Sequence, residues 1–396
     1  MADLRQNTWT LPEWYDQNVD DATGGYKSKA GTAFSWGNNQ YGGLGLNQPN
    51  PYYKSSPTQI PGTTWKQIDS GYRWSVAVKS DGTLWAWGYN DSGTLGQNNI
   101  TNYSSPKQIG SGTDWDKCAA GYTAALATKT DGTMYGWGGS GNGVGPGVKS
   151  SPIQIPGTTW ALPIGNSQAN FAVKTDGTLW AFGNNDQGAL GLNDRTFRQT
   201  PEQVGSDTTW STDLKKWLSS TQKDDQSMCI KTDGTLWSWG YNRYGQLGLN
   251  EGASPGNNKA KSSPVQIGSG SDWKSCGGQG FTNCATKTDG TLWIWGENSW
   301  MGALGLELPA NSNKSSPTQI PGTTWDFVSS ANAQFATKTD GTLWAWGRND
   351  DGSLGLNQQN TSNPNQTTNS PVQVGSLTNW TDKVSGAIAF TSRKQS

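Results

Sequence analysis

Any chemistry in this chain has to be done without imidazole. None of its 396 residues is histidine, which removes Ser-His-Asp and Cys-His nucleophile systems, histidine metal ligation and histidine general-base work together. Carboxylates, lysines and four cysteines are left. Carboxylate-based cleavage of a polysaccharide needs two acids about 5 to 9.5 Å apart in a cleft, and no spacing in the sequence nominates such a pair. Cys118 and Cys276 each fall three residues after a recurring tryptophan, at Trp115 and Trp273, while Cys229 and Cys284 fall where other copies carry Ala or Val. That placement reads as small buried thiols. A Cys276 to Cys284 bridge or a reactive thiol is the alternative, because spacing does not set connectivity. Runs such as Asn90-Asp91-Ser92-Gly93-Thr94-Leu95-Gly96 have the look of a cation loop or a phosphate cradle. They lack the closing Glu of the first and the Gly-Lys-Ser/Thr of the second, so they read as turns. No catalytic residue, metal ligand or cofactor is expected, and the chain is not expected to be an enzyme.

Charge narrows the partners. Lys and Arg number 29 against 30 Asp and Glu, with no run of one sign, so no electrostatic footprint for nucleic acid or an anionic membrane is present. No apolar window approaches the roughly 18 residues needed to cross a bilayer. The start Met-Ala-Asp-Leu-Arg lacks the apolar core of a secretion signal, and a soluble chain with no signal peptide is expected.

The elements that would position any site follow from one repeated stretch, Lys-Thr-Asp-Gly-Thr-Leu-Trp-Ala-Trp-Gly, complete at residues 338–347. Near-copies end at Gly37, Gly88, Gly138, Gly183, Gly240 and Gly296. Asp-Gly is the dipeptide that best tolerates a two-residue hairpin turn. Such a turn at Asp81-Gly82 sets Ser80 opposite Thr83, Val78 opposite Trp85 and Val76 opposite Trp87. Ala77, Leu84 and Ala86 fall on the other face, and two apolar faces mean a strand pair covered on both sides. The aromatic before the closing glycine recurs at intervals of 51, 50, 45, 57, 56 and 51 residues, the length of four short strands, one propeller blade. A segment of the Ser-Ser-Pro-Thr-Gln-Ile type in each unit, as at Ser55 to Ile60 and Ser315 to Ile320, suits an edge strand, since proline lacks the donor a central strand needs. A Trp-led strand starts at Trp65, Trp115, Trp160, Trp210, Trp273, Trp325 and Trp380. Six Asp-Gly turns serve seven units: Phe390-Thr391-Ser392-Arg393 resembles the strand before a turn, and residues 31–37 the strand after one. The fold expected is all-β, a seven-bladed propeller of four-stranded blades over residues 30–396, closed by pairing of N- and C-terminal strands in one blade and thereby hiding two sheet edges. Residues 1–29 stand outside it as an arm, with a short helix suggested by Thr10-Leu11-Pro12-Glu13.

Asp340 to Gly355, in which Asp-Gly-Thr-Leu-Trp-Ala-Trp-Gly is followed by Asn-Asp-x-Gly-x-Leu-Gly, resembles the regulator of chromosome condensation repeat family over about residues 31 to 396. The resemblance implies a seven-bladed propeller with a shared closing blade. In that family the ring serves as a guanine-nucleotide exchange factor, as an inhibitor of a secreted hydrolase, or as a general interaction module, and no catalytic residue is carried over. The arm, with Leu4-Arg5-Gln6-Asn7-Thr8-Trp9-Thr10 and Glu13-Trp14-Tyr15, looks like the start of marine bacteriophage structural proteins.

Partner contacts are expected where loops vary while the scaffold repeats. From each Leu-Gly or Val-Gly to the proline of the following edge-strand segment the span runs from 7 to 16 residues. Aromatics outside the template there or in insertions are Tyr52, Tyr53, Tyr103, Phe197, Trp217 and Trp300, read either as local packing or as surfaces for protein or sugar contacts. Trp9, Trp14 and Tyr15 are the candidate assembly contacts of the arm. The first functional expectation is a non-enzymatic structural and recognition protein of a phage virion. Its arm would hold other virion proteins, its rim a host receptor or glycan, and copies of the chain would meet within the particle. The alternative is a soluble cellular interaction module of exchange-factor or hydrolase-inhibitor type.

Overall fold

A computed structural model describes residues 32–47, 53–139, 143–218, 226–251, 259–298, 303–330, 333–349, 352–358, 367–380 and 389–394. The chain is an all-β propeller of four-stranded blades. Five sheets carry four strands and two carry three. In one sheet Trp65–Ser70, Trp74–Lys79, Leu84–Gly88 and Tyr103–Gln108 lie side by side in chain order, all antiparallel. The Trp-led strands converge toward the centre: Trp65–Ser70 packs on Trp115–Ala120, which packs on Trp160–Asn166, while Trp273–Gln279 packs on Trp325–Ser330. Thr32–Asn38 pairs antiparallel with Ala389–Lys394, Thr32 opposite Lys394 and Gly37 opposite Ala389.

The Ser-Ser-Pro segments do sit on the outer edge. In Tyr53–Gln59 the pairing jumps from Thr58 opposite Ser35 to Lys54 opposite Gly37, so Pro57 falls inside a bulge where no ladder donor is required.

The hairpin register differs from the two-residue expectation by one place. Val78 lies opposite Leu84, Ala77 opposite Trp85 and Ser75 opposite Trp87. The loop holds three residues, not two: Lys79 N–H donates to Thr83 O at 3.0 Å, and Gly82 N–H donates back to Lys79 O. Gly82 at φ +76° takes the left-handed position that ends such a turn. The Asp81 carboxylate accepts from the Thr83 amide at 3.0 Å and from its hydroxyl at 2.7 Å, which selects this loop. Each tryptophan therefore stands against a small residue, and volume is balanced across the pair.

The dry core lies between neighbouring sheets. Trp74, Val76, Val78, Leu84 and Ala86 pack against Cys118, Ala120, Ala125, Ala127 and Trp137 of the next sheet. Trp137 Nε1 donates across that seam to Thr94 O at 2.8 Å, Trp87 to Gly43 O at 3.0 Å, Trp239 to Ala189 O at 2.7 Å, and Trp295 to Gln246 O at 2.8 Å. Trp36 makes the same bond to Ser353 O at 3.0 Å.

Trp210 does not lead a regular strand. Its sheet contains Gln226–Ile230, Leu236–Gly240 and Lys261–Gln266, and the chain beyond Trp210 enters a short 3-10 turn, Leu214–Lys216. Trp217 then makes a single bridge to Cys229, so the insertion takes the place of the absent inner strand.

Candidate functional site

The two ends of the blades differ in what they leave for a partner. At the turn end the polar groups of the hairpin engage one another. Trp85 Nε1 donates to Thr83 Oγ1 at 2.7 Å, Thr83 donates to Asp81, and Lys79 Nζ lies 4.7 Å from the Trp65 ring and 4.0 Å from the Trp85 ring. The Thr83 hydroxyl and amide hold the Asp81 carboxyl below its usual value. Related Lys-over-aromatic clamps recur at Lys129, Lys174, Lys231, Lys287 and Lys338. Among the described residues no group of three or more Cys, Asp or Glu side chains is placed to hold a metal ion. The four cysteines are buried and unbridged.

The opposite end carries the corners between the first two strands of each sheet and the loops that follow Trp-Gly. Its scaffold is one repeated backbone bond. The amide after the Trp-Gly glycine donates to the corner carbonyl: Tyr89 to Arg73 at 3.0 Å, Gly139 to Thr123 at 2.7 Å, Asn184 to Gln168 at 2.9 Å, and Glu297 to Phe281 at 2.8 Å. The bond is constant while the corner side chain changes.

Aromatic rings gather on two parts of this end. Tyr41 and Tyr89 lie 4.6 Å apart, and Tyr72 stacks on Tyr122 at 4.7 Å with 19° between planes. Arg73 joins the pairs, its guanidinium carbon 5.0 Å from the Tyr41 ring and 4.8 Å from the Tyr72 ring. The Tyr89 hydroxyl donates to Asp91; that bond and burial push its titration up to about 12. In the second gathering Phe281 lies 5.5 Å from Tyr241 and 4.8 Å from Tyr244, beside exposed Arg243.

Of the residues nominated from sequence, Phe197 is exposed at 42 % on this same end, its loop braced by Arg198 donating to Asp194 at 2.6 Å. Tyr103 is half-buried, accepts from Asn99 Nδ2 at 3.2 Å and packs on the core, a local role. Tyr53 begins an outer strand opposite Asn38. Trp217 is not a surface contact. It is 1 % exposed, stacks on Phe171 at 6.4 Å and donates to Ser211 O, because it fills the position of the missing strand. Tyr52, Trp300, Trp9, Trp14 and Tyr15, and the suggested arm helix, lie outside the described residues. Tyr41, Tyr72, Arg73, Tyr89, Tyr122, Tyr241, Tyr244 and Phe281 were not nominated. A signal existed in Gly71-Tyr72-Arg73, Gly121-Tyr122-Thr123 and Gln279-Gly280-Phe281, where corner residues change beneath a repeating frame.

Comparison with known proteins bears on the whole chain. The profile of the Regulator of chromosome condensation (RCC1) repeat matches residues 30–78, 81–127, 176–212, 233–282 and 340–389. The human E3 ubiquitin-protein ligase HERC2 is 28% identical over 378 residues, covering 89% of this chain and 7% of that protein. The probable E3 ubiquitin-protein ligase HERC6 of Homo sapiens is 30% identical over 202 residues, 49% of this chain and 18% of its own length. The ultraviolet-B receptor UVR8 of Arabidopsis thaliana is 27% identical over 289 residues, 72% of this chain and 53% of the receptor. The chain thus spans a small part of the ligases and about half of the receptor. Among solved structures, Prp20p from Saccharomyces cerevisiae superposes with a TM-score of 0.78 at 18% identity, covering 93% of this chain and 92% of that one. Matched over more than half of its length by repeats whose blades the structure displays, the chain belongs to the regulator of chromosome condensation (RCC1) repeat family.

Proposed function

We propose that the protein is a non-catalytic protein-interaction propeller that offers the corner end of its blades to a partner. The observation that carries this reading is the constant bond beneath changing corner residues, Arg73, Thr123, Gln168 and Phe281. A frame fixed by backbone, with side chains free to differ, suits recognition. Relatives such as HERC2 and UVR8 are cellular proteins, which favours the cellular interaction module over a particle-attached role. The reading of the arm as an attachment to other virion proteins, with a host receptor or glycan on the rim, finds no support in the family match. A photo-cross-linking amino acid placed at Tyr244 and, separately, at exposed Asp131 of the turn end tests the reading in cell extract. A discrete protein adduct from position 244 and none from position 131 is expected; equal adducts from both ends, or none from 244, would refute it.

We further propose that the sheets are the seven blades of one ring, closed through the termini. The pairing of Thr32–Asn38 with Ala389–Lys394 supports this, as does the Trp36 to Ser353 bond, which repeats across 317 residues what Trp87 and Gly43 do across 44.

A further inference from the structure

Arg73 is held in a way that stability alone does not ask for. Its backbone sits at φ +67°, in the left-handed region that is strained for a non-glycine residue. At this corner Tyr89 N–H donates to Arg73 O and Gly71 N–H donates to Trp74 O at 2.8 Å. The guanidinium lies between the rings of Tyr41 and Tyr72. Among the described residues its buried Nε has no hydrogen-bond partner and no carboxylate forms an ion pair with it. Arg198, by contrast, is engaged by both Asp194 and Glu202. A caged, oriented cation that forms no ion pair among the described residues, at the end of the blades where side chains vary, is prepared for an anion that arrives from outside.

We propose that the Tyr41–Arg73–Tyr72 sandwich is a carboxylate-reading site that docks an aspartate or glutamate side chain from an acidic segment of a partner protein. This inference rests on the interaction reading above and names the chemistry of its partner. Charge favours a carboxylate over a phosphate group. The site offers one cation, and exposed Asp91, bonded to Tyr89 on the flank of the same ladder, repels a dianion more strongly than a monoanion. The stacked Tyr72 and Tyr122 rings add flat surface for apolar residues beside the acid.

The test uses the full chain and a fluorescein-labelled hexaglutamate peptide, read by fluorescence anisotropy at low salt. Hexaglutamate is expected to bind, to weaken as salt rises, and to be matched by no binding of a hexaglutamine peptide. Arg73→Gln is expected to weaken binding roughly tenfold, the loss of one charge-assisted contact, and Arg73→Lys to fall between, since an ammonium cannot supply a planar fork. Arg243→Gln, on the second aromatic gathering, should bind as the parent does, and melting curves confirm that each variant folds. Equal affinity of the parent and Arg73→Gln overturns the proposal, as does tighter binding of a phosphotyrosine peptide than of hexaglutamate. An adduct from Tyr244 that survives Arg73→Gln, together with no hexaglutamate binding, sinks this site and leaves the interaction reading standing. Arg73-dependent peptide binding with no adduct from Tyr244 does the reverse.

Discussion

Two tryptophans in equivalent seats offer a test of what holds one blade to the next. Trp87 and Trp346 are both wholly buried, each closing a Trp-Gly strand against the neighbouring sheet. Trp87 Nε1 donates to Gly43 O at 3.0 Å, whereas Trp346 Nε1 has no hydrogen-bond partner among the described residues. Replacing either by phenylalanine removes the same volume. In Trp87→Phe the Gly43 carbonyl is left buried and unpaired, which costs about 1 to 3 kcal/mol beyond the volume term. In Trp346→Phe an unsatisfied donor disappears, which offsets part of the cavity. Trp87→Phe should therefore lose about 1 to 3 kcal/mol more than Trp346→Phe, while Trp346→Ala loses about 3 to 5 kcal/mol by cavity formation. Urea unfolding followed by far-ultraviolet circular dichroism at constant m-value reads the differences. Equal losses in the two phenylalanine variants would refute the seam bond as a stabilising contact. Trp36→Phe extends the test to closure: because Trp36 donates to Ser353 O, it should behave as Trp87→Phe does. A near-silent Trp36→Phe would mean that the first and last sheets are not joined by this seam.

Three further outcomes follow from local geometry. Gly82→Ala and Gly110→Ala both place a side chain at positive φ, but a Cβ at Gly82 would meet Thr113 O at 2.0 Å while Gly110 faces open space; thermal melts should show the first lowering stability well beyond the roughly 1 kcal/mol expected of the second. Burial alone would raise the Asp207 carboxyl, yet bonds from Lys231 Nζ and Thr209 overcome it and hold the group at about 2. Since the folded value lies below that of the unfolded chain, this contribution is complete above about pH 4 and is lost as pH falls toward 2. Asp207→Asn should flatten stability across that window and cost about 1 to 2 kcal/mol at neutral pH, discounted because Asp207 is 36% exposed while Lys231 is left at 7% exposure without its partner. Burial pushes the Cys118 and Cys229 thiols well above their ordinary values, and all four cysteines are buried and outside any disulfide, so a thiol reagent at pH 8 should label none in the folded chain and four after unfolding; labelling of the native protein would contradict the packing.

What repeats was legible, and what occurs once was not. The blade length, the edge placement of Pro57 and the burial of Trp87 each follow from a pattern written several times over. The hairpin register was missed by one residue because Asp-Gly alone suggests a two-residue turn. The fuller signal was Asp81 with Thr83, whose amide and hydroxyl the carboxylate binds, enlarging the loop. For Trp217, which lies in an insertion, the sequence leaves local packing and a contact surface both open. Whether an insertion lies on the surface or fills the core depends on whether the regular strand beside it forms, and after Trp210 it does not. The Tyr41–Arg73–Tyr72 sandwich joins loops about thirty residues apart in sequence through ring and guanidinium contacts, for which no periodicity exists to be read.

These differences share one physical origin. Blade stability here is distributed over seams, indole to carbonyl bonds and Lys clamps that recur in most of the described units, so no single unit's corner side chain is needed to hold the ring. Arg73 could be threonine, glutamine or phenylalanine and the bond from Tyr89 to its carbonyl would persist, as it does at Thr123, Gln168 and Phe281. Selection on recognition can then act on corner side chains without first passing through selection on folding. The separation has a measurable consequence. Arg73→Gln, which relieves no strain and removes no core contact, should change melting by little, within about 0.5 kcal/mol, while abolishing most hexaglutamate binding. If instead it destabilised the fold as much as Trp87→Phe, the corner would have to be counted as part of the frame, and the division between a repeated scaffold and a variable face would fail.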